Sequence, residues 1–244
     1  MINVLTIYDN YECNPEFKTD WGFGCIIDHP HARICYDTGA KPEILEANLK
    51  TAAILPSSID IIVISHKHHD HKGGASWLLQ QNPNAKIYIP KTWNKDIEST
   101  FPKETTNISV LENNLLTPEG FHIIATENLT IRELTLAIET SQGSLVFTGC
   151  SHTGIDHIAQ KVQETTGSPI QTIFGGFHLL NASKKDILNT LQKLKHTHLK
   201  SIAPCHCTGQ EAMQLIKQEF STHFLNNGAG AKFSFEPEFG IRKR

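Results

Sequence analysis

Short apolar runs rich in Val and Ile alternate with amphipathic stretches from one end of this chain to the other. VLTIYD (4–9), FGCIID (23–28) and ARICYD (32–37) are compact, partly β-branched and punctuated by Gly, Pro and Asp, which predicts three strands. KPEILEANLKTA (41–52) spaces its apolar residues as a helix does, with Pro near its start. IDIIVIS (59–65) is apolar almost without a break, which predicts a strand buried on both faces. GGASWLLQQN (73–82) then reads as a helix and KIYIP (86–90) as the next strand.

The pattern lapses between 91 and 118, a polar stretch to which no element is assigned; it is expected to shape the pocket. It returns in FHIIAT (121–126), LTIRELTLAIE (129–139) and SLVFTGC (144–150), read as successive strands. IDHIAQKVQETTG (155–167) is an amphipathic helix closing on Gly, and IQTIFGG (170–176) a strand. SKKDILNTLQKLKH (183–196) is a helix with Ser183 as its N-cap. LKSIAPCHCTG (199–209) is a strand running into a loop, EAMQLIKQEF (211–220) a helix and KFSFE (232–236) a last strand. Strands and helices interleave without a repeat or a linker tract, so one α/β domain over 1–244 is expected.

Composition narrows the partners. A chain of 244 residues hides roughly 70–75% of its unfolded surface and so supports a sizeable core. Lys and Arg total 22 against 25 Asp and Glu, a net charge of -3 that disfavours nucleic acid as a partner. MINVLTIYDN has neither the basic nor the long apolar segment of a signal peptide, and no apolar run approaches the ~20 residues of a membrane helix. The six cysteines, Cys13, Cys25, Cys35, Cys150, Cys205 and Cys207, form no CxxC. Reduced thiols in a cytoplasm are the expectation, with Cys13, Cys25 and Cys35 simply buried.

Candidate chemistry concentrates in SHKHHDHKGG (65–74), where four histidines and an aspartate fall within six positions. The cluster follows the buried strand directly, the end at which α/β sheets bind ligands. In a tight turn alternate residues aim the same way, so His66 and His68 can grip one metal while Asp70 and His71 serve a second. Imidazole and carboxylate donors suit Zn, Fe or Mn. His29, His31, His69, His157, His196, His198 and His223 are read as surface residues or neighbours of the site.

That stretch resembles the HxHxDH signature of the metallo-β-lactamase superfamily, including the strand before it and the Gly-Gly helix entry after it. DTG (37–39), FTGC (147–150), GGFHLL (175–180) and PCHCTG (204–209) carry the resemblance over nearly the whole chain. Within the superfamily they are similar to a branch named for a dihydropterin ribofuranosyl-aminobenzene phosphate synthase, many of whose members carry only the generic label of metal-dependent hydrolase. The resemblance implies a four-layer αββα sandwich with a one- or two-metal site at one edge between the sheets.

It also implies roles. Cys150 stands where the family carries a bridging aspartate, and a thiolate there favours Zn. The usual middle histidine would fall in IRELTL, which has none. His152 in GCSHTG is its replacement, ahead of His122, which the strand pattern buries. His206 is the final histidine, with Cys205 and Cys207 read as spectators. Asp37 and Thr38 are read mainly as turn residues. His178 should lie on the same rim as an extra ligand, a proton donor or a substrate clamp.

The implied centre holds one ion on His66, His68 and His152, and a second on Asp70, His71 and His206 with Cys150 contributing. Two Zn2+ are expected, with Mn2+ or Fe2+ as alternatives. Two ions about 3.5–4 Å apart activate a water and clamp a leaving oxygen. The expected activity is hydrolysis of an ester, phosphodiester, lactone or related small molecule, with Asp70 orienting the nucleophile and His178 protonating the leaving group or binding an anionic substrate. One alternative is a transferase of the pterin/aminobenzene-ribose-phosphate synthase type, for which Lys67, Lys72, Lys91 and Lys95 are the nearest phosphate-binding candidates. Another is a mononuclear-iron oxidoreductase resembling persulfide dioxygenases.

Overall fold

The computed structural model describes residues 1–93 and 97–237; Lys95 and the last seven residues lie outside the described residues. The chain opens with an antiparallel meander, β1 (Ile2–Tyr8), β2 (Gly24–His29) and β3 (Ala32–Tyr36). Helix α1 (Pro42–Thr51) crosses over to β4 (Ile61–Val63), which pairs parallel with β3. Two short helices follow, α2 (His69–Lys72) and α3 (Ala75–Gln81), then β5 (Lys86–Pro90), α4 (Ile97–Thr100) and β6 (Ile108–Leu111), with β5 and β6 continuing the parallel run.

The second half repeats that plan. β7 (Leu115–Leu116), β8 (His122–Glu127), β9 (Arg132–Thr140) and β10 (Gly143–Thr148) pair antiparallel. Helix α5 (Ile155–Thr166), β11 (Ile170–Gly176), α6 (Lys184–His196) and β12 (Ser201–Cys205) add two parallel crossovers. Helix α7 (Gln210–Phe220) and β13 (Lys232–Phe235) complete the described chain, β13 returning to pair with β1.

Among the described residues the strands form two sheets, ordered β13-β1-β2-β3-β4-β5-β6 and β12-β11-β10-β9-β8-β7. Their facing sides share one core that includes Phe23, Tyr36, Val63, Leu136, Phe147 and Phe174. The outer side of the first sheet packs Ile26, Ile62 and Ile87 against Leu45 and Leu78 of α1 and α3. The outer side of the second packs Val146 and Ile173 against Ile158, Leu191 and Ile216 of α5, α6 and α7. Each sheet therefore has a helical layer outside and a sheet inside, and the fold is an αββα sandwich. The β-branched runs are apolar on both faces because both faces are covered.

Three differences from the sequence pattern have local causes. β4 covers only the centre of IDIIVIS, because Ser65 leaves the sheet to donate its N–H to Asp37. The polar stretch 91–118 contains β6 and β7, edge strands whose half-exposed faces give no clean alternation. β9 starts at Arg132 rather than 129, because the Asn128 side chain accepts N–H groups from Thr130 and Ile131 and holds a turn there. Ser183 caps α6 as expected, accepting from the Asp186 N–H, and α5 ends on Gly167 in the left-handed region.

Candidate metal centre

The parallel strands of both sheets end at one rim, and the loops that leave them carry the candidate donors. After β3 comes Asp37, after β4 His66 to His71, after β10 Cys150 and His152, after β11 His178 and after β12 His206. Seven non-glycine residues have positive φ among the described residues, and four of them are on these loops: Asp37, Ser151, His178 and His206. Such a backbone is held only where surrounding bonds over-determine it, and here they do.

Three imidazoles converge on one point. His66 Nε2 lies 3.0 Å from His68 Nδ1 and 3.3 Å from His152 Nε2. The far nitrogen of His66 is taken by Ser65 Oγ at 2.9 Å, so Nε2 is the atom left facing the group. Burial depresses the pKa of all three, with neighbouring imidazoles adding to the shift for His66; that of His152 is pulled down to about 4. They are unprotonated, and so competent to ligate, at neutral pH.

A second group forms beside it. Asp70, His71, Cys150 and His206 offer ligand atoms that all lie within 4.8 Å of one another. His71 Nε2 is 3.1 Å from Cys150 Sγ, and Asp70 Oδ2 is 3.3 Å from His206 Nε2. Burial works against ionising Asp70, yet His206 and His71 overcome it and hold its carboxyl well below the ordinary range. Contact with Cys207, then burial, push the Cys150 thiol well up when no cation is near. Cys150 also groups with His152 and His178, whose atoms meet the same 4.8 Å limit.

The surroundings fix the ring orientations. Asp37 is fully buried and accepts from Ser65 N, Ser65 Oγ and His71 Nδ1, each at 2.7 Å. Burial disfavours the charged His71 ring, but the Asp37 charge and hydrogen bond raise its pKa overall. On the opposite wall Asn10 Oδ1 is 3.0 Å from His206 Nδ1. Glu133, also buried, accepts the N–H groups of His152 and Thr153, and Asn128 donates to the His152 carbonyl at 2.9 Å. An acceptor on one ring nitrogen that leaves the other aimed inward is the arrangement that orients metal-binding histidines.

The cavity passes a direct test of fit. His206 Nε2 is buried without a hydrogen-bond partner, a costly state that a cation at this point relieves. The donor set of imidazoles, one carboxylate and one thiol suits a divalent ion of zinc type.

The structure thus brings together His66, His68, Asp70, His71, Cys150, His152 and His206, with His178 alongside, its ring centroid 4.2 Å from that of His152. It corrects three expectations. Asp37 is no mere turn residue but a partner of His71. Thr38 likewise grips the His71 carbonyl through its N–H and hydroxyl. Cys207 is no spectator: its sulfur accepts the His178 N–H at 3.3 Å and lies 3.7 Å from the Cys150 carbonyl. His122 begins β8, paired with Ala137 at the end of the strand away from the rim. Of the lysines weighed for phosphate, Lys67 is exposed, Lys72 lies over the Trp93 ring and Lys91 pairs with Glu112. Of the cysteines expected to be buried, Cys25 and Cys35 are, while Cys13 is half-buried and accepts from Asn226.

Adjacent groups of candidate metal donors at the rim of an αββα sandwich point to a class, and comparison with known families agrees. Residues 26–196 match the model of the metallo-beta-lactamase superfamily, and the chain belongs to that superfamily. Over 96% of its length it is 26% identical to a 7,8-dihydropterin-6-methyl-4-(beta-D-ribofuranosyl)-aminobenzene-5'-phosphate synthase from Methanocaldococcus jannaschii, covering 97% of that protein. Among solved structures, Tm1679, a metal-dependent hydrolase of the beta-lactamase superfamily, superposes with a TM-score of 0.77 at 23% identity, over 97% of this chain and 100% of that one. The metallo-beta-lactamase fold protein YhfI from Bacillus subtilis gives 0.68 at 13% identity, over 95% and 98%. No helix among the described residues is long and apolar enough to cross a membrane.

Proposed function

We propose that the protein is a two-metal hydrolase of small molecules, cleaving an ester, phosphodiester, lactone or related bond in the cytoplasm. The observation that carries this reading is the pairing of two adjacent donor sets whose inward atoms converge, with the outward nitrogens of His66, His71 and His206 engaged by Ser65, Asp37 and Asn10. His66, His68 and His152 would hold one ion; Asp70, His71, His206 and Cys150 would hold the other, with zinc favoured by the thiol. When bound, the ions supply Lewis acidity and an activated water.

The chain's own groups supply the rest. Asp70 stays ionised, so its oxygens accept a hydrogen bond and orient the nucleophile while also serving the second ion. His178 stands at the solvent side of His152, and its pKa is raised, first by its hydrogen bond with Cys207 and against the pull of burial. An imidazole kept protonated more readily than usual is suited to donate a proton to a leaving oxygen or to bind an anionic substrate.

A second reading has one observation in its favour: the near full-length match to a synthase. The same donors would then polarise a phosphate-bearing aminobenzene substrate for bond formation. Of the lysines near the signature, Lys72 lies over the Trp93 ring and Lys91 pairs with Glu112, which leaves exposed Lys67 and His178 as the cationic candidates for that phosphate. A mononuclear oxygenase needs fewer donors than are gathered here.

The test is His68→Ala, assayed for metal content and for turnover on phosphodiesters, lactones and thioesters. Metal and activity are expected to fall together. Full retention of both would refute the assignment.

A further inference from the structure

Most large apolar side chains among the described residues are buried, but three exposed ones stand on the donor loops or on loops bonded to them. Trp21 is 44% exposed, Leu180 50% and Leu129 fully exposed. Leu129 follows Asn128, whose side chain holds the His152 carbonyl, and the Leu180 N–H donates to the carbonyl of Cys207. Trp21 lies against a donor ring: its ring is 4.7 Å, centroid to centroid, from that of His206, tilted by 50°.

The exposure of Trp21 does not come from a loose loop. Its N–H is fixed by Asp20 Oδ1 at 2.7 Å, and Asp20 is in turn paired with Lys41. Two residues on, the Phe23 N–H donates to the carbonyl of Asp70 at 3.1 Å. At Gly22, with φ at 146°, a Cβ would meet that same carbonyl at 2.6 Å. The indole is thus mounted on a loop bonded to the Asp70 backbone and lies against the His206 ring. A group bound against His206 has the indole beside it. Asp20 is neutralised by Lys41, and what the indole itself offers a ligand is a rigid, planar, apolar face.

We propose that Trp21 is a specificity-determining residue that stacks an aryl or heteroaryl group of the substrate beside the metal centre. The location of the reacting group rests on the hydrolase reading; the aryl site rests on Trp21 itself. Substrates carrying a ring next to the reacting phosphoryl or acyl group are selected over those carrying a short alkyl group.

The test is equilibrium binding, which needs no turnover. Phenylphosphonate and methylphosphonate are titrated into the protein as purified and after zinc loading, with metal content measured in each sample. Phenylphosphonate is expected to bind about tenfold tighter than methylphosphonate. Trp21→Ala should abolish that preference without changing metal content, Trp21→Phe should keep most of it, and Trp21→Leu, which keeps apolar area without the ring, should keep little. Equal binding of the two phosphonates to the wild type, no measurable phenylphosphonate binding, or an equal loss of both in Trp21→Ala would overturn the proposal. Aryl-selective binding in a protein that hydrolyses nothing would sink the hydrolase and leave the aryl site standing.

Discussion

Asp37 never faces the substrate side of the centre, yet three of its hydrogen bonds decide how His71 and Ser65, and through Ser65 His66, present their nitrogens. Asp37→Asn keeps the shape but replaces one acceptor oxygen with a donor. Metal affinity at the second site should fall about 10–100-fold, the usual cost of losing such a partner, read by competition with a chelator. An unchanged affinity would mean that His71 needs no anionic neighbour. The donors of SHKHHDHKGG were legible because they are consecutive, and spacing alone separates His66 and His68 from Asp70 and His71. Asp37 and Asn10 were not legible, because their partners lie 34 and 196 residues away. Nothing in DTG or in the residues around Asn10 announces which strand end will arrive opposite. Cys207 was misread for the same reason: its role depends on His178 and Cys150, brought to it by separate strands.

At the scale of elements, α2 is the piece that the hydrophobic pattern could not show. Four residues give no periodicity, and tertiary bonds hold the turn: Phe23 N–H to Asp70, Thr38 N–H to His71 and Gly73 N–H to Gly39. A Cβ on Gly73 would fall inside the carbonyl of Ala40. Gly73→Ala should therefore push α2 off the β3 loop, costing ~1–3 kcal/mol in urea unfolding and weakening the second metal site more than the first. The β2–β3 hairpin makes an independent prediction. Burial, then the neighbouring His31, depress the His29 pKa to about 4, and its Nδ1 accepts the His31 N–H, which only the neutral ring can do. Between about 4 and the unfolded value of 6.5 the unfolded chain binds the extra proton. Stability tied to His29 is therefore present above that window and lost as pH falls through it. The loss of stability between pH about 7 and about 4.5 should be smaller in His29→Gln than in the wild type; parallel pH curves would show that His29 titrates normally.

Across the whole molecule, the succession of strands and helices was readable because buried parallel strands are apolar on both faces and their helices are amphipathic, while the four layers followed from the family resemblance and the strand order within each sheet was not legible. The edge strands β6 and β7 escaped because half-exposed, polar sequence looks like loop. Both halves of the chain contribute to each donor set, His152 meeting His66 and His206 meeting Asp70, so the centre exists only when the two sheets are packed. Metal binding and folding are then coupled, and a chelator should lower the unfolding temperature while added zinc restores it. The measurement that bears most directly on the account is the identity and number of metal ions per chain, by elemental mass spectrometry on untagged protein. Two ions per chain, zinc foremost, with metal lost in His68→Ala and the second site weakened in Asp37→Asn, is the expected result. A chain that carries no metal, or a single iron with oxygen uptake, would contradict the two-metal hydrolase.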